Sequence, residues 1–154
     1  MNNGQIRPLA LGVVRRGDDL LVFEGYDQVK DEIYYRPLGG GIEFGEHSQE
    51  TLRREFREEL GVELDHVRYL ATTENIFTCN GERGHEIILL YEAILADQSF
   101  YEQESFEVYE EGTILPARWM PLHKFRESSL QPGSLSLYPH ELLELLTDKA
   151  VPEN

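Results

Sequence analysis

The chain has one cysteine, one tryptophan and two methionines in 154 residues, and 14 lysines and arginines against 29 aspartates and glutamates. The single Cys79 excludes an internal disulfide and fits a reducing compartment. No stretch reaches the roughly 18 consecutive apolar residues that a membrane-spanning helix needs. The first residues lack the basic segment and apolar run of a secretory signal, so a cytoplasmic location without membrane contact is expected. A net charge of −15 repels polyanions, so no nucleic-acid partner is expected. A small phosphorylated substrate remains compatible, because a metal ion and a few arginines can reverse the sign inside a cleft. No repeat or low-complexity segment occurs, and no Ser–His or Cys–His arrangement suggests a covalent intermediate.

What is present suits one globular domain spanning residues 1–154, with 40% hydrophobic and 10% aromatic residues. Residues Ile6 to Arg16 read as a strand, Arg16 to Asp19 as a turn, and Leu20 to Phe23 as the returning strand of a hairpin. Tyr26 to Glu32 reads as a loop and Ile33 to Arg36 as a short strand. Strands are expected at Val62 to Ala71 and Thr72 to Thr78, then a turn at Asn80-Gly81 and a central strand opened by Glu86 and running to Leu95. The acidic stretch Asp97 to Glu111 reads as a loop or flap, and Thr113 to Pro121 as a last strand with Trp119 either in the core or stacked on substrate. Pro132-Gly133 marks a loop, and Tyr138 to Leu146 a terminal helix with Pro139 in its first turn. Residues 150–154 are expected to fray. Strands combined with one central and one terminal helix imply an α/β (α+β) protein with a mixed sheet between helices.

The stretch between Gly39 and Val62 carries the chemistry. Gly39, Gly40 and Gly41 permit a turn in which backbone groups approach a metal or a phosphate. A helix follows, with Ser48 read as its N-cap and Gly61 as its C-cap. Glu55, Glu58 and Glu59 sit at i, i+3 and i+4 and share one face, at the edge of an apolar stripe of Leu52, Phe56 and Leu60. Three like charges at that spacing repel, and a hard cation such as Mg²⁺ gives them a reason to be together. Arg54, one turn before Glu58, can orient the carboxylates. Arg36 stands where a guanidinium could reach a substrate phosphate, as readily as it could lie on a sheet surface.

From Gly40 to Val62 the pattern G-x5-E-x7-R-E-apolar-x-E-E-x-G-apolar is satisfied at every fixed position. The segment resembles the Nudix box of the Nudix hydrolase family. That resemblance implies an α/β/α sandwich and hydrolysis of the pyrophosphate bond in a nucleoside diphosphate linked to another moiety, with Mg²⁺ or Mn²⁺. The implied metal ligands are Glu55, Glu58, Glu59 and the Gly39 carbonyl, with Arg54 orienting them and Glu46 fixing loop to helix. Gly40, Gly41 and Arg36 would contact the diphosphate. A further carboxylate, from Glu86, Glu110 or Glu111, would add a metal contact or accept the proton of the attacking water. A small nucleotide is the implied substrate, either a nucleotide sugar such as ADP-ribose or a nucleoside triphosphate, and a homodimer is compatible. Two other readings stand beside this one: a nucleotide-sensing module without turnover, and isomerisation of a diphosphate at Cys79.

Overall fold

Two β-sheets divide the chain between them in the computed structural model, which describes residues 4–110, 112–128 and 135–148. The first has the order β5-β1-β7-β6, built from β1 (Ile6–Val13), β5 (Leu38–Gly41), β6 (Leu64–Cys79) and β7 (Glu82–Leu95). The second runs β10-β4-β3-β9-β8, from β3 (Asp19–Asp27), β4 (Glu32–Arg36), β8 (Ser105–Glu110), β9 (Thr113–Pro121) and β10 (Ser136–Leu137), with the short β2 (Arg15–Arg16) paired to β3. Both sheets are mixed, since β1 lies parallel to β7 and β10 parallel to β4.

Strand β1 is apolar on both faces because both faces are covered. Ala10 joins Leu52 and Phe56 of helix α1 (Ser48–Leu60) in one core. Leu9, Leu11 and Val13 join a second core with Leu122 and Phe125 of α2 (Leu122–Ser128) and Leu142 and Leu146 of α3 (Leu142–Asp148). Helices thus flank the sheet layer on both sides, as an α/β/α sandwich requires. Trp119 is buried, stacked on Tyr101 with Arg16 over its ring.

Several local expectations are corrected. The chain leaves one sheet and enters the other at Val14, so only β2 pairs back on β3 and the expected hairpin is confined to two residues. Strand β3 continues to Asp27, taking in part of the expected loop. The segments Val62 to Ala71 and Thr72 to Thr78 form one strand, β6, whose irregularities between Asp65 and Arg68 and between Tyr69 and Ala71 absorb the change of phase. Its turn to β7 at Asn80-Gly81 has φ of 52° and 80°, the left-handed pair that a two-residue hairpin loop demands. Glu86 lies four residues inside β7 rather than at its start.

The expected flap contains a single-turn helix at Gln98–Glu102 and strand β8, whose Val108 is buried despite its acidic neighbours. Helix α3 begins at Leu142, after Pro139. The N-cap of α1 is His47, whose amide donates to Glu50 (3.3 Å). Ser48 is already helical and bonds the Tyr91 hydroxyl (2.5 Å). Gly61 is the left-handed C-cap, donating to the Arg57 carbonyl at 2.9 Å. Pro132-Gly133, Glu111 and residues 150–154 lie outside the described residues. Among those described, no helix is long and apolar enough to cross a membrane.

Candidate active site

Strand β5 and helix α1 bring the glycine turn against the glutamates. A side chain at Gly40 would place its Cβ 2.5 Å from the Glu55 carboxyl, so only glycine leaves that carboxylate its place. Gly39 pairs with Leu11 in the ladder and has φ of +145°, a conformation side chains rarely adopt.

Arg54 is the hub. Its Nε and Nη2 donate to the two oxygens of Glu46 (2.8 and 3.0 Å), and Nη2 also to the Gly41 carbonyl (3.1 Å). Nη1 donates to Glu55 (2.9 Å) and Glu58 (3.3 Å). One fixed fork of donors therefore ties the glycine turn, the loop and the helix together. Glu46 also accepts from the Thr51 hydroxyl (2.6 Å), and bonds from Arg54 and Thr51 hold its carboxyl down at about 2.

That depressed value implies a pH dependence. Glu46 contributes stability above its unfolded value near 4, and the contribution is lost as pH falls toward 2. Melting curves of wild type and Glu46→Gln should differ by a constant amount above about pH 5 and converge only as the pH falls through about 2. A gap that persists unchanged into acid would show that the bond matters by shape rather than charge.

The three box glutamates have different surroundings. Glu58 is 58% exposed at its side chain. Glu55 is mostly covered by the glycine turn. Glu59 is 3% exposed, inside the core rather than at its edge, while Leu60 is only half-buried. Glu59 hydrogen-bonds Glu55, and its Oε1 has no partner. Burial first, then that bond and the charges of Glu110 and Glu55, push its carboxyl far above the usual carboxylate range. A buried acceptor left without a partner needs a cation or a proton.

Glu55 and Glu58 line a cleft of about 230 Å³ together with Gly39, Gly40, Gly41, Arg7, Arg36 and Glu110. Arg7 was not anticipated; its approach depends on the pairing of β1 with β5 and β7, which no local pattern announces. Arg36 rests over the Phe23 ring (4.7 Å) and reaches toward Glu110 (3.7 Å). Its buried Nε has no partner. Glu86 lies not in this cleft but in the recess next to it, opposite Asn75 in the ladder. Burial raises its carboxyl, against the pull of Arg36 and Arg7.

Among the described residues no three acidic, histidine or cysteine side chains form a ready-made cage. The donors nevertheless fit a hard cation: they are carboxylates and a carbonyl, one oxygen is orphaned in the core, and glycine clears their approach. Cys79 lies outside the cleft, half-buried in the recess, with burial raising its thiol. That is the opposite of an activated nucleophile.

The chain is similar in structure to several solved proteins. The E. coli ORF135 protein is 22% identical, with a TM-score of 0.58 over 97% of this chain and 95% of that one. A MutT Nudix hydrolase from Burkholderia pseudomallei is 20% identical, with a TM-score of 0.61 over 92% and 98%. A Nudix hydrolase from Nitrosomonas europaea is 14% identical, with a TM-score of 0.63 over 94% and 88%. These likenesses concern the fold. The NUDIX domain family model matches residues 6–140, and members of that family generally act on small nucleotide substrates with divalent cations. By that match the chain belongs to the Nudix family, as a hydrolase of the pyrophosphohydrolase type.

Proposed function

We propose that the whole chain is one Nudix domain that hydrolyses the pyrophosphate bond of a free nucleoside diphosphate derivative in the cytoplasm, as a monomer or homodimer and without a nucleic-acid partner. The substrate is a nucleoside triphosphate or a nucleotide sugar. The observation that carries this reading is one cleft that brings carboxylates and guanidiniums together at the glycine turn. Glu55, Glu58 and Glu110 line it with Arg7 and Arg36.

Glu55, Glu58, Glu59 and the Gly39 carbonyl would hold Mg²⁺, with Mn²⁺ as a substitute. When bound, the cation neutralises charge on the diphosphate and makes a water more acidic. Arg36 and Arg7 bind and orient the phosphates, and the backbone of Gly40 and Gly41 lets them come close. Arg54 keeps Glu55 and Glu58 aimed into the cleft. Glu110 is the described carboxylate in the cleft that does not come from α1, and it takes the proton of the attacking water. Glu111 follows it in sequence.

The test is release of phosphate or pyrophosphate from a panel of nucleoside triphosphates, dinucleotides and nucleotide sugars, with Mg²⁺ and with EDTA. Turnover of at least one compound, lost in EDTA and in Glu58→Gln, is the expected result. Mg²⁺ alone should raise Tm, since it relieves repulsion among the glutamates. An inert panel combined with a nucleotide-raised Tm would replace this reading with that of a nucleotide sensor.

A further inference from the structure

Beside the cleft, and sharing Arg36 with it, lies a recess of about 80 Å³. A single water needs about 10–15 Å³ on that measure, so the space suits one ring rather than a whole nucleoside. Its walls are aromatic. The Tyr34 ring lies across Gly25, its direct partner in the β3–β4 ladder, and a Cβ there would fall 2.3 Å from the ring. The Phe77 ring lies in the same way across Gly84, its partner in the β6–β7 ladder, where a Cβ would fall 2.4 Å away. Tyr138 closes the third side, edge-on to Tyr34 at 5.9 Å and tilted against Phe77 at 6.5 Å. Two glycines on two sheets thus seat two flat walls around one opening.

Among the polar groups of the recess are three carboxyls, of Asp27, Glu32 and Glu86, beside the donors of Arg36 and Asn75. Glu86 and Asn75 face each other across the ladder, and both are more than nine-tenths buried. Asp27 is buried as well, but its Oδ1 is taken by the amides of Val29 and Lys30 (3.0 Å each). Glu86 is not tied up in this way, and a carboxylate has lone pairs for several donors. An amino group on a bound ring satisfies it. A keto oxygen at the same position sets acceptor against acceptor in a buried place.

We infer that this recess holds the base of the substrate, and that the Glu86–Asn75 pair makes it favour an amino-bearing base over a keto-bearing base of the same size. The inference rests on the reading that the substrate is a nucleoside diphosphate derivative. Arg36, common to both spaces, sits where the base side of the substrate meets its phosphates.

Two pairs of nucleotides isolate the effect, since their members differ in size by almost nothing: CTP against UTP, and ATP against ITP. With the full chain and Mg²⁺, kcat/KM should favour the amino member of at least one pair by about tenfold or more, the scale of a hydrogen bond to a charged group. In Glu86→Gln, which offers a donor as well as an acceptor, the ratio should fall to about one or invert. Gly84→Ala displaces the Phe77 wall, and should raise KM for both members of a pair with their ratio kept. Equal turnover within both pairs, or a ratio that survives Glu86→Gln in a variant with wild-type Tm, overturns the inference. Failure of the hydrolase reading looks different: no nucleotide is turned over at all. Binding of CMP against UMP and of AMP against IMP, by calorimetry, then decides the base preference without turnover, and equal affinities overturn it.

Discussion

Glu58→Gln is expected to lower hydrolysis by about 10²–10³-fold and to leave Tm within about a degree of wild type, the loss being typical of removing one preorganised charge from a reaction centre. Glu58 is the most exposed of the three box glutamates, and it accepts from Arg54 at 3.3 Å, which keeps Glu46 and Glu55. Its removal therefore takes little from the folded state. The informative comparison is Glu59→Gln. That change should reduce activity as severely and yet raise the Tm of protein kept in EDTA by a few degrees. A neutral amide replaces a carboxyl with an orphaned oxygen in the core, which is among the costly things a fold can bury. Steady-state rates and melting curves on both variants decide the matter. A Glu59→Gln protein that melts lower than wild type would mean that its carboxyl contributes to the fold through Glu55.

Arg54→Ala should lose on both counts. It takes the guanidinium donors away from Glu46, Glu55 and the Gly41 carbonyl, and removing one partner from a partly buried ion pair costs about 2–4 kcal/mol after allowance for solvent. For a chain of this length that corresponds to a Tm lower by about 5–15 °C. Activity should fall about 10–100-fold in the part that survives at low temperature, the usual size of losing the group that orients metal ligands. Arg54→Lys should rescue little, because an ammonium cannot reach Glu46 with two donors while holding Glu55. Full activity in the lysine variant would show that charge alone suffices.

The legibility of this chain follows how local each feature is. The glycine turn, Glu46 and the three helical glutamates lie within one short segment, so spacing alone places them together, and the structure keeps them there. What spacing could not tell was depth. Glu59 and Leu60 are neighbours at the margin of the apolar stripe, and the charged one goes inside, because the wall that covers it comes from elsewhere in the chain. Arg7 and Glu86 were harder for the same reason. They face each other in the parallel β1–β7 ladder, yet one approaches the cleft and the other the recess. Their destinations depend on three strands meeting. Strand β8 was hidden by its charge: Glu107 and Glu110 lie within it, and the alternation that marks a paired strand rests on Phe106 and Val108 alone as apolar inward residues. Glu111, expected as one of three alternatives for the outside carboxylate, lies beyond the described residues, whereas Glu110 lines the cleft.

The β1–β7 ladder also bears on how the chain reaches its native form. Its paired residues are about 80 positions apart, whereas β1 and β5 are about 30 apart. Closing the longer loop costs more chain entropy, and long-range pairing slows folding. During synthesis from the N-terminus, β1 emerges first and meets β5 well before β7 exists. The carboxylate side of the cleft, made from β5 and the helix just after it, can thus organise on a half-made chain. The base-recognising side waits for the β6–β7 hairpin, so this protein acquires its grip on charge before its power to discriminate.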